Sequence, residues 1–455
     1  SVVWLYSGLN PQEVEHRLFI PYLRRDDFWW MAPTPGRPIN NWTAVCNAGV
    51  MAAALYLEPN PACLAAILAR GIRSLEHYLD TFDEDGGTSE GPGYWAYGFG
   101  YFTRIAQMIE QRTGGRLDLL EGERARKIAA FPLRTMLSPG LYVNFSDAPR
   151  RAIFPAAMLA FLGRWLDLPA LVELAAEPAN QALAGLTADL LWQLPALFWD
   201  LPAPGAPRIA LERHDWFNGM MWMIARADPG DPDGLVLAAK GGHNAEMHNH
   251  NDAGAFIVQV GQEALIADPG SGHYTLDYFG PRRYEHFAAS SLGHSVPISN
   301  GQLQQAGRAF SARLLEHSAG KEVDVLRLDL HEAYPPEARL GSLERRLVLH
   351  RPDGPGQGGW IELEDCFAFQ GGPGTLESAL ITFGRVTVEA GTVLLAGEQA
   401  SLCMCYQAGR VGVRVEDYPA VDLAEGRQDA RRVIFFLEKP CASGSLRLVI
   451  TPGIV

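Results

Sequence analysis

The hydrophobic period of this chain changes once, near residue 205, and that change limits its fold more than any other feature. In Pro61–Leu79 the apolar positions Leu64, Ile67, Leu68, Ile72, Leu75, Tyr78 and Leu79 recur every three or four residues. That is the spacing of a helix with one buried face, and Pro61 sits where a first-turn proline belongs. Similar patterns cover about 41–57, 95–112, 117–137, 152–174 and 180–198, with Pro/Gly/Asp-rich breaks at 83–87 and 138–140. Repeated helical hairpins with no strands between them predict an (α/α) toroid or helical array over 1–205. The Pro-rich stretch 201–207 reads as a linker. Beyond it the period is two, as in 323–330, 385–388, 433–437 and 446–450, and turn signals are dense at 231–234, 352–356 and 371–374. Many short alternating strands predict an antiparallel β-sandwich over 206–455. The expected class is therefore α+β and multidomain, and 455 residues are too many for one ordinary core.

Charge and composition exclude several function classes. Hydrophobic residues make up 47% and charged residues 20%, the range of a globular protein in water. The longest apolar run, 48–57, has ten residues and is broken by Gly49, too short for a membrane span. A net charge of -14 argues against a general nucleic-acid binder, which needs a basic field. An anionic sugar remains compatible, because focusing is local and Arg150-Arg151 and Arg282-Arg283 offer local positive charge. The six cysteines form no CxxC pair and read as buried free thiols. No glycine-rich phosphate loop links a strand to a helix, so no nucleotide cofactor is expected. The chain starts at Ser1, which leaves both a missing natural N-terminus and a removed signal peptide open.

The stretch 248–252, His-Asn-His-Asn-Asp, carries the most chemistry. It precedes an apolar run, and in extended backbone His248, His250 and Asp252 would share one face. An apolar face would not select two imidazoles and a carboxylate, so the cluster points to a metal site, a proton-transfer site, or both. A candidate metal set is His250, Asp268 and His294: two imidazoles and one carboxylate suit zinc or manganese with a fourth position left to water. The plainer reading of Asp268 is a turn aspartate before Pro269-Gly270, and of His294 a hydrogen-bonded core histidine. A candidate proton-transfer set is His248, Tyr142 after a Pro-Gly break, and Glu90 in a glycine-rich loop. Asn41 and Asn47 offer neutral amides for a carboxylate. Trp42, Tyr94 and Tyr97 are among the aromatics that could stack on pyranose rings, though most aromatics of this half should be core.

The ordered series His248-Asn-His-Asn-Asp252, Asp268-Pro-Gly-Ser-Gly-His-Tyr274, Ser290-Ser-Leu-Gly-His294 and Gly301-Gln-Leu-Gln304 resembles the heparinase II/III-like polysaccharide lyases. The resemblance is close over about 240–305 and looser over the two-part layout. It implies a toroid joined to a sandwich, and β-elimination on a uronate polysaccharide such as heparan sulfate, hyaluronan or chondroitin, with alginate next. It implies His248 as a catalytic histidine, and His250, Asp268 and His294 as ligands of one divalent metal, zinc before manganese. The family's catalytic tyrosine comes some fifty residues after a loop residue that binds the substrate carboxylate; Tyr142 and Glu90 are 52 apart. Asn41 or Asn47 could share the part of Glu90, and Tyr94 and Tyr97 compete with Tyr142. Tyr274 and Arg283 would reach the cleft floor. A secreted or periplasmic location is implied too.

The chemistry calls for these residue types. A uronate C5 proton becomes acidic once its carboxylate charge is neutralised, by hydrogen-bond donors or a protonated Glu90. His248 could then remove the proton, and Tyr142 could protonate the C4 oxygen or serve as both acid and base. No water attacks in an elimination, so the metal is expected to be mainly structural, orienting His248. Two other readings stay open: a glycoside hydrolase using Glu90 with Asp83 or Asp147, and a glycan-binding protein without activity. The sequence does not fix the oligomeric state.

Overall fold

The computed structural model describes residues 11–182, 190–206, 209–352 and 358–453. Residues 183–189 of the expected last helix, Pro207 of the linker and 353–356 of one expected turn lie outside these. The chain divides into two compact units. One takes residues up to Thr88, Gly93–Phe131 and Ile153–Ile209; the other takes Ser89–Pro92, Pro132–Ala152 and Ala210–Val455. Two short segments from the helical half, 89–92 and 132–152, thus belong with the strand-rich unit.

The first unit is helical. Trp42–Leu57, Pro61–Leu79, Gly91–Thr113, Glu123–Ala129, Ala156–Trp165, Pro169–Ala175 and Leu190–Phe198 are its main helices. Pro61–Leu79 shows why they form where they do. The Asn60 side chain accepts from the Ala62 and Cys63 amides at 2.9 and 3.4 Å, and Pro61 occupies the first turn. Its buried face, Ile67, Gly71, Ser74, Leu75 and Tyr78, follows the helical period. Trp95, Phe99 and Phe102 build an aromatic core, and the Trp95 indole donates to the Ile128 carbonyl at 2.8 Å. The pattern expected to stay helical over 117–137 instead ends early. Residues Met136–Ser138 and Leu141–Tyr142 form a small antiparallel hairpin, turned by Gly140 at φ +77°.

The second unit is built on three antiparallel sheets. Five strands run as a meander from His214–Phe217 through Trp222–Arg226, Leu235–Lys240 and Phe256–Val260 to Glu263–Ile266. An eight-stranded sheet has the order Arg313–Ala319, Val323–Asp329, Leu340–His350, Trp360–Phe369, Ser443–Pro452, Ser401–Cys405, Thr392–Ala396, Arg385–Glu389. Four more strands pair as Val411–Leu423, Gly426–Leu437, Leu376–Thr382, Pro297–Ser299. In Trp360–Phe369 burial alternates residue by residue, as period two requires. Leu237, Phe256 and Val258 of the first sheet, Leu347, Leu363 and Leu448 of the second, and Leu380, Val433 and Phe435 of the third share one apolar core. Full burial of each such side chain contributes about 2 kcal/mol.

One ion pair ties this core to the loops of interest. Arg345 meets Asp365 through two bonds of 2.8 Å, both side chains fully buried. Its remaining nitrogen donates to the carbonyls of Gly254 at 2.9 Å and Ser295 at 2.6 Å. Those carbonyls flank the histidine motif and His294, so the sheet core fixes both loops. Among the described residues no helix is long and apolar enough to cross a membrane.

Candidate functional site

The histidine motif does not continue the strand that follows it. His248 lies in a turn at φ +55°, and the strand starts only at Phe256. Alternation over 248–252 therefore fails. A left-handed histidine costs on the order of 1 kcal/mol and has to be held in place. Three other segments of the same unit, around Gly91, 144–148 and Gly270, pack together, and two glycines let them approach. A Cβ on Gly91 (φ +80°) would stand 2.6 Å from the Ala148 Cβ; one on Gly270 (φ +61°) would stand 2.8 Å from the Ala148 carbonyl oxygen. The Asn144 amide closes the arrangement by donating to the Asp268 carbonyl at 2.9 Å.

At the centre lies Asp147, its side chain fully buried. His248 Nδ1 is 3.0 Å from its Oδ2, and His250 Nε2 is 3.0 Å from its Oδ1. Tyr278 donates to Oδ1 at 2.7 Å; Tyr274 and Arg283 donate to Oδ2 at 3.1 and 3.0 Å. Burial, the largest single influence on Asp147, would raise its pKa, but the two histidines and Arg283 more than reverse it and hold the carboxyl far below the usual range. Arg283 also grips the motif's backbone, donating to the carbonyls of His248 at 3.3 Å and Asn249 at 3.2 Å. Opposite Asp147, His248 Nε2 is 3.8 Å from Oε2 of Glu90. Glu90 is not the solvated loop acid that its glycine-rich surroundings suggest. It is buried, and burial pushes its pKa up to about 6 against a smaller opposing effect of His248.

Beneath the motif is a second cluster. His250, Asp252 and His294 are fully buried, with one potential ligand atom of each within 4.8 Å of the others. His250 Nδ1 and Asp252 Oδ2 have no hydrogen-bond partner, which is costly for buried polar atoms and suits a cation between them. The other Asp252 oxygen takes the buried Lys240 ammonium at 2.8 Å. Asp268, expected beside His250 and His294, lies with Oδ2 2.9 Å from His294 Nδ1 and Oδ1 on the Gly270 amide. The third group gathered around the two histidines is Asp252, which was not in the expected metal set.

The remaining candidates divide between the units. Glu90, Tyr142, His248, His250, Asp268, Tyr274, Arg283 and His294 all belong to the strand-rich unit. Tyr142 is fully buried on the strand Leu141–Tyr142, five residues before Asp147. Asn41, Trp42, Asn47 and Tyr94 belong to the helical unit. Asn47 is built into its packing: it accepts from Tyr22 at 2.6 Å and donates to the Thr43 carbonyl and Ser74 at 2.7 and 2.8 Å. Asn41 is buried, Trp42 is half exposed and Tyr94 partly buried. Sequence reasoning missed Tyr278 and Lys240, and gave Asp147 only as a hydrolase carboxylate. Nothing local marks Asp147, because its partners lie 101 to 136 residues downstream.

Residues 211–427 match the family model described as heparinase II/III-like, C-terminal. Among solved structures, the heparan sulfate lyase HepC from Pedobacter heparinus is similar, with a TM-score of 0.64 and 15% identity over 90% of this chain. A heparinase III gene product gives 0.65 at 15% identity over 91%. A Paenibacillus xanthan lyase gives 0.54 at 12% identity over 90%. These likenesses show a shared fold. The chain spans only 59%, 58% and 44% of those three proteins. No curated protein matches it by sequence.

Proposed function

We propose that this protein is a polysaccharide lyase that cleaves a uronate-containing polymer by β-elimination and leaves a 4,5-unsaturated uronate end. One observation carries the reading: an imidazole held on an ionised, buried aspartate presents its far nitrogen beside a buried carboxyl that resists ionisation. In this reading His248 Nε2 removes the C5 proton. Glu90, protonated, donates to the substrate carboxylate and offsets the charge that develops there. Tyr142 supplies the proton to the C4 oxygen. Hydrolysis would instead need a second carboxyl able to give or take a proton, and Asp147, ringed by five donors, is poorly suited to that.

The proposal has further parts. The helical unit is read as a toroid and the sheets as a sandwich, with Asn41, Trp42 and Tyr94 as sugar contacts. The substrate is read as a glycosaminoglycan such as heparan sulfate, hyaluronan or chondroitin, with alginate next, met outside the cytoplasm. A divalent metal, zinc before manganese, would be held by His250 and Asp252; His294, with Nδ1 on Asp268 at 2.9 Å and Nε2 on the Ala288 carbonyl at 2.8 Å, would join them only by releasing Ala288. It would supply fixed charge that stabilises the loops. The test is incubation with a panel of uronate polymers while following the ultraviolet absorbance of the new C4=C5 bond. Absorbance should rise with wild type and stay flat with Tyr142→Phe, which should still bind polymer. New reducing ends without that absorbance would sink the lyase reading in favour of a hydrolase.

A further inference from the structure

Asp147 has no part in the elimination as proposed, yet it collects more bonds than any group that does. Its oxygens are divided. Oδ1 faces His250 Nε2 and the Tyr278 hydroxyl; Oδ2 faces His248 Nδ1, Arg283 and the Tyr274 hydroxyl. With Tyr278 donating to one oxygen and Arg283 and Tyr274 to the other, both oxygens act as acceptors, so in the uncharged imidazoles the proton of His248 sits on Nδ1 and that of His250 on Nε2. His248 is thereby left with an unprotonated Nε2 on the Glu90 side, and His250 with an unprotonated, buried Nδ1 that has no hydrogen-bond partner. Arg283 spans from the same carboxylate to the His248 and Asn249 carbonyls, fixing the left-handed turn as well as the ring.

We infer that Asp147 is a positioning residue that sets both tautomers, aiming a proton-accepting nitrogen of His248 into the site. The inference rests on the lyase reading for the reaction it serves, but not for the tautomers themselves. Leucine at 147 roughly keeps the shape and removes both acceptors, so both histidines lose theirs; asparagine would keep one oxygen, which turned to Arg283 would still serve His248 Nδ1. A role confined to packing would leave the His248 proton where it is.

The test uses full-length protein labelled with 15N-histidine. Two-bond proton–nitrogen correlation spectra, recorded with the imidazoles uncharged, report which nitrogen of each ring bears hydrogen. The His248 signals are identified as those absent from His248→Gln. Wild type should show His248 protonated on Nδ1 and bare at Nε2. Asp147→Leu should shift that population toward the Nε2–H form. On a polymer that wild type cleaves, Asp147→Leu should lower kcat by roughly a hundredfold or more with KM changed less than about threefold, the range general base catalysis supplies. An Nε2–H tautomer in the wild type overturns the inference without any variant having to fold. An unchanged tautomer in a folded Asp147→Leu, or a raised KM with normal kcat, overturns it too. If no polymer is cleaved, the lyase reading fails by itself, and the wild-type tautomer still decides the role of Asp147.

Discussion

Glu90 shows how burial alone can give a common side chain an uncommon state. Its pKa rises from 4.5 to about 6 because water is excluded, and His248 only partly offsets this. An unfolded glutamate titrates near 4.3. A group raised on folding favours the native state fully below its unfolded pKa, and the contribution is lost as pH rises through the folded one. At pH 8 the native protein therefore holds an ionised, buried carboxylate at a cost on the order of 2 kcal/mol, taking about 1.4 kcal/mol per unit. Glu90→Gln should stabilise the strand-rich unit by about that amount at pH 8 and by roughly half as much at pH 5. Chemical unfolding at both pH values checks it; a gain independent of pH would show that Glu90 is not perturbed by burial. The same substitution bears on activity. If the neutral form handles the substrate carboxylate, the alkaline decline of kcat/KM in the wild type should be absent in Glu90→Gln.

At the scale of elements, the strongest device is the Arg345–Asp365 pair. Its Arg345 end holds the carbonyls of Gly254 and Ser295, so the site loops depend on a charge inside the sheet core. Removing one partner leaves the other charge buried and unpaired, so Asp365→Ala should cost about 3–5 kcal/mol. Thermal unfolding would measure it; a loss below about 1 kcal/mol would mean that water replaces the carboxylate. This level of organisation also explains what the sequence could reveal. The order of helices before strands was legible because burial imposes a period on each element, 3.6 in Pro61–Leu79 and two in Trp360–Phe369. Turn residues gave the breaks. The hairpin at Met136–Tyr142 was hidden because three consecutive buried residues, Met136, Leu137 and Ser138, fit either period. The motif at 248–252 was legible as chemistry and misread as geometry, since one left-handed residue, His248, ends the alternation. Asp147 was unreadable as a hub because convergence of loops far apart in sequence leaves no local mark.

At the scale of the whole molecule, a net charge of -14 opposes the gathering of buried carboxylates, yet four lie around the motif: Glu90, Asp147, Asp252 and Asp268. Each has a cationic or imidazole group beside it: His248 for Glu90, Arg283 and the two motif histidines for Asp147, Lys240 for Asp252, His294 for Asp268. Two of the buried atoms here that lack a hydrogen-bond partner are His250 Nδ1 and Asp252 Oδ2, and a divalent cation would satisfy both at once. A ligand that binds only the folded state stabilises the chain by mass action, and its removal exposes that contribution. The purified protein should then carry close to one equivalent of zinc or manganese by elemental analysis. Prolonged chelation should lower its melting temperature by several degrees, and returning the metal should restore it. His250→Ala should lack the metal, melt lower than the wild type, and be indifferent to chelator. Its melting temperature would report the lost hydrogen bond to Asp147 as well, so the deciding comparison is the response to chelator. If wild type and His250→Ala hold equal metal, or neither responds to chelation, the cluster is not a metal centre, and the two open atoms belong to a polar core completed by water.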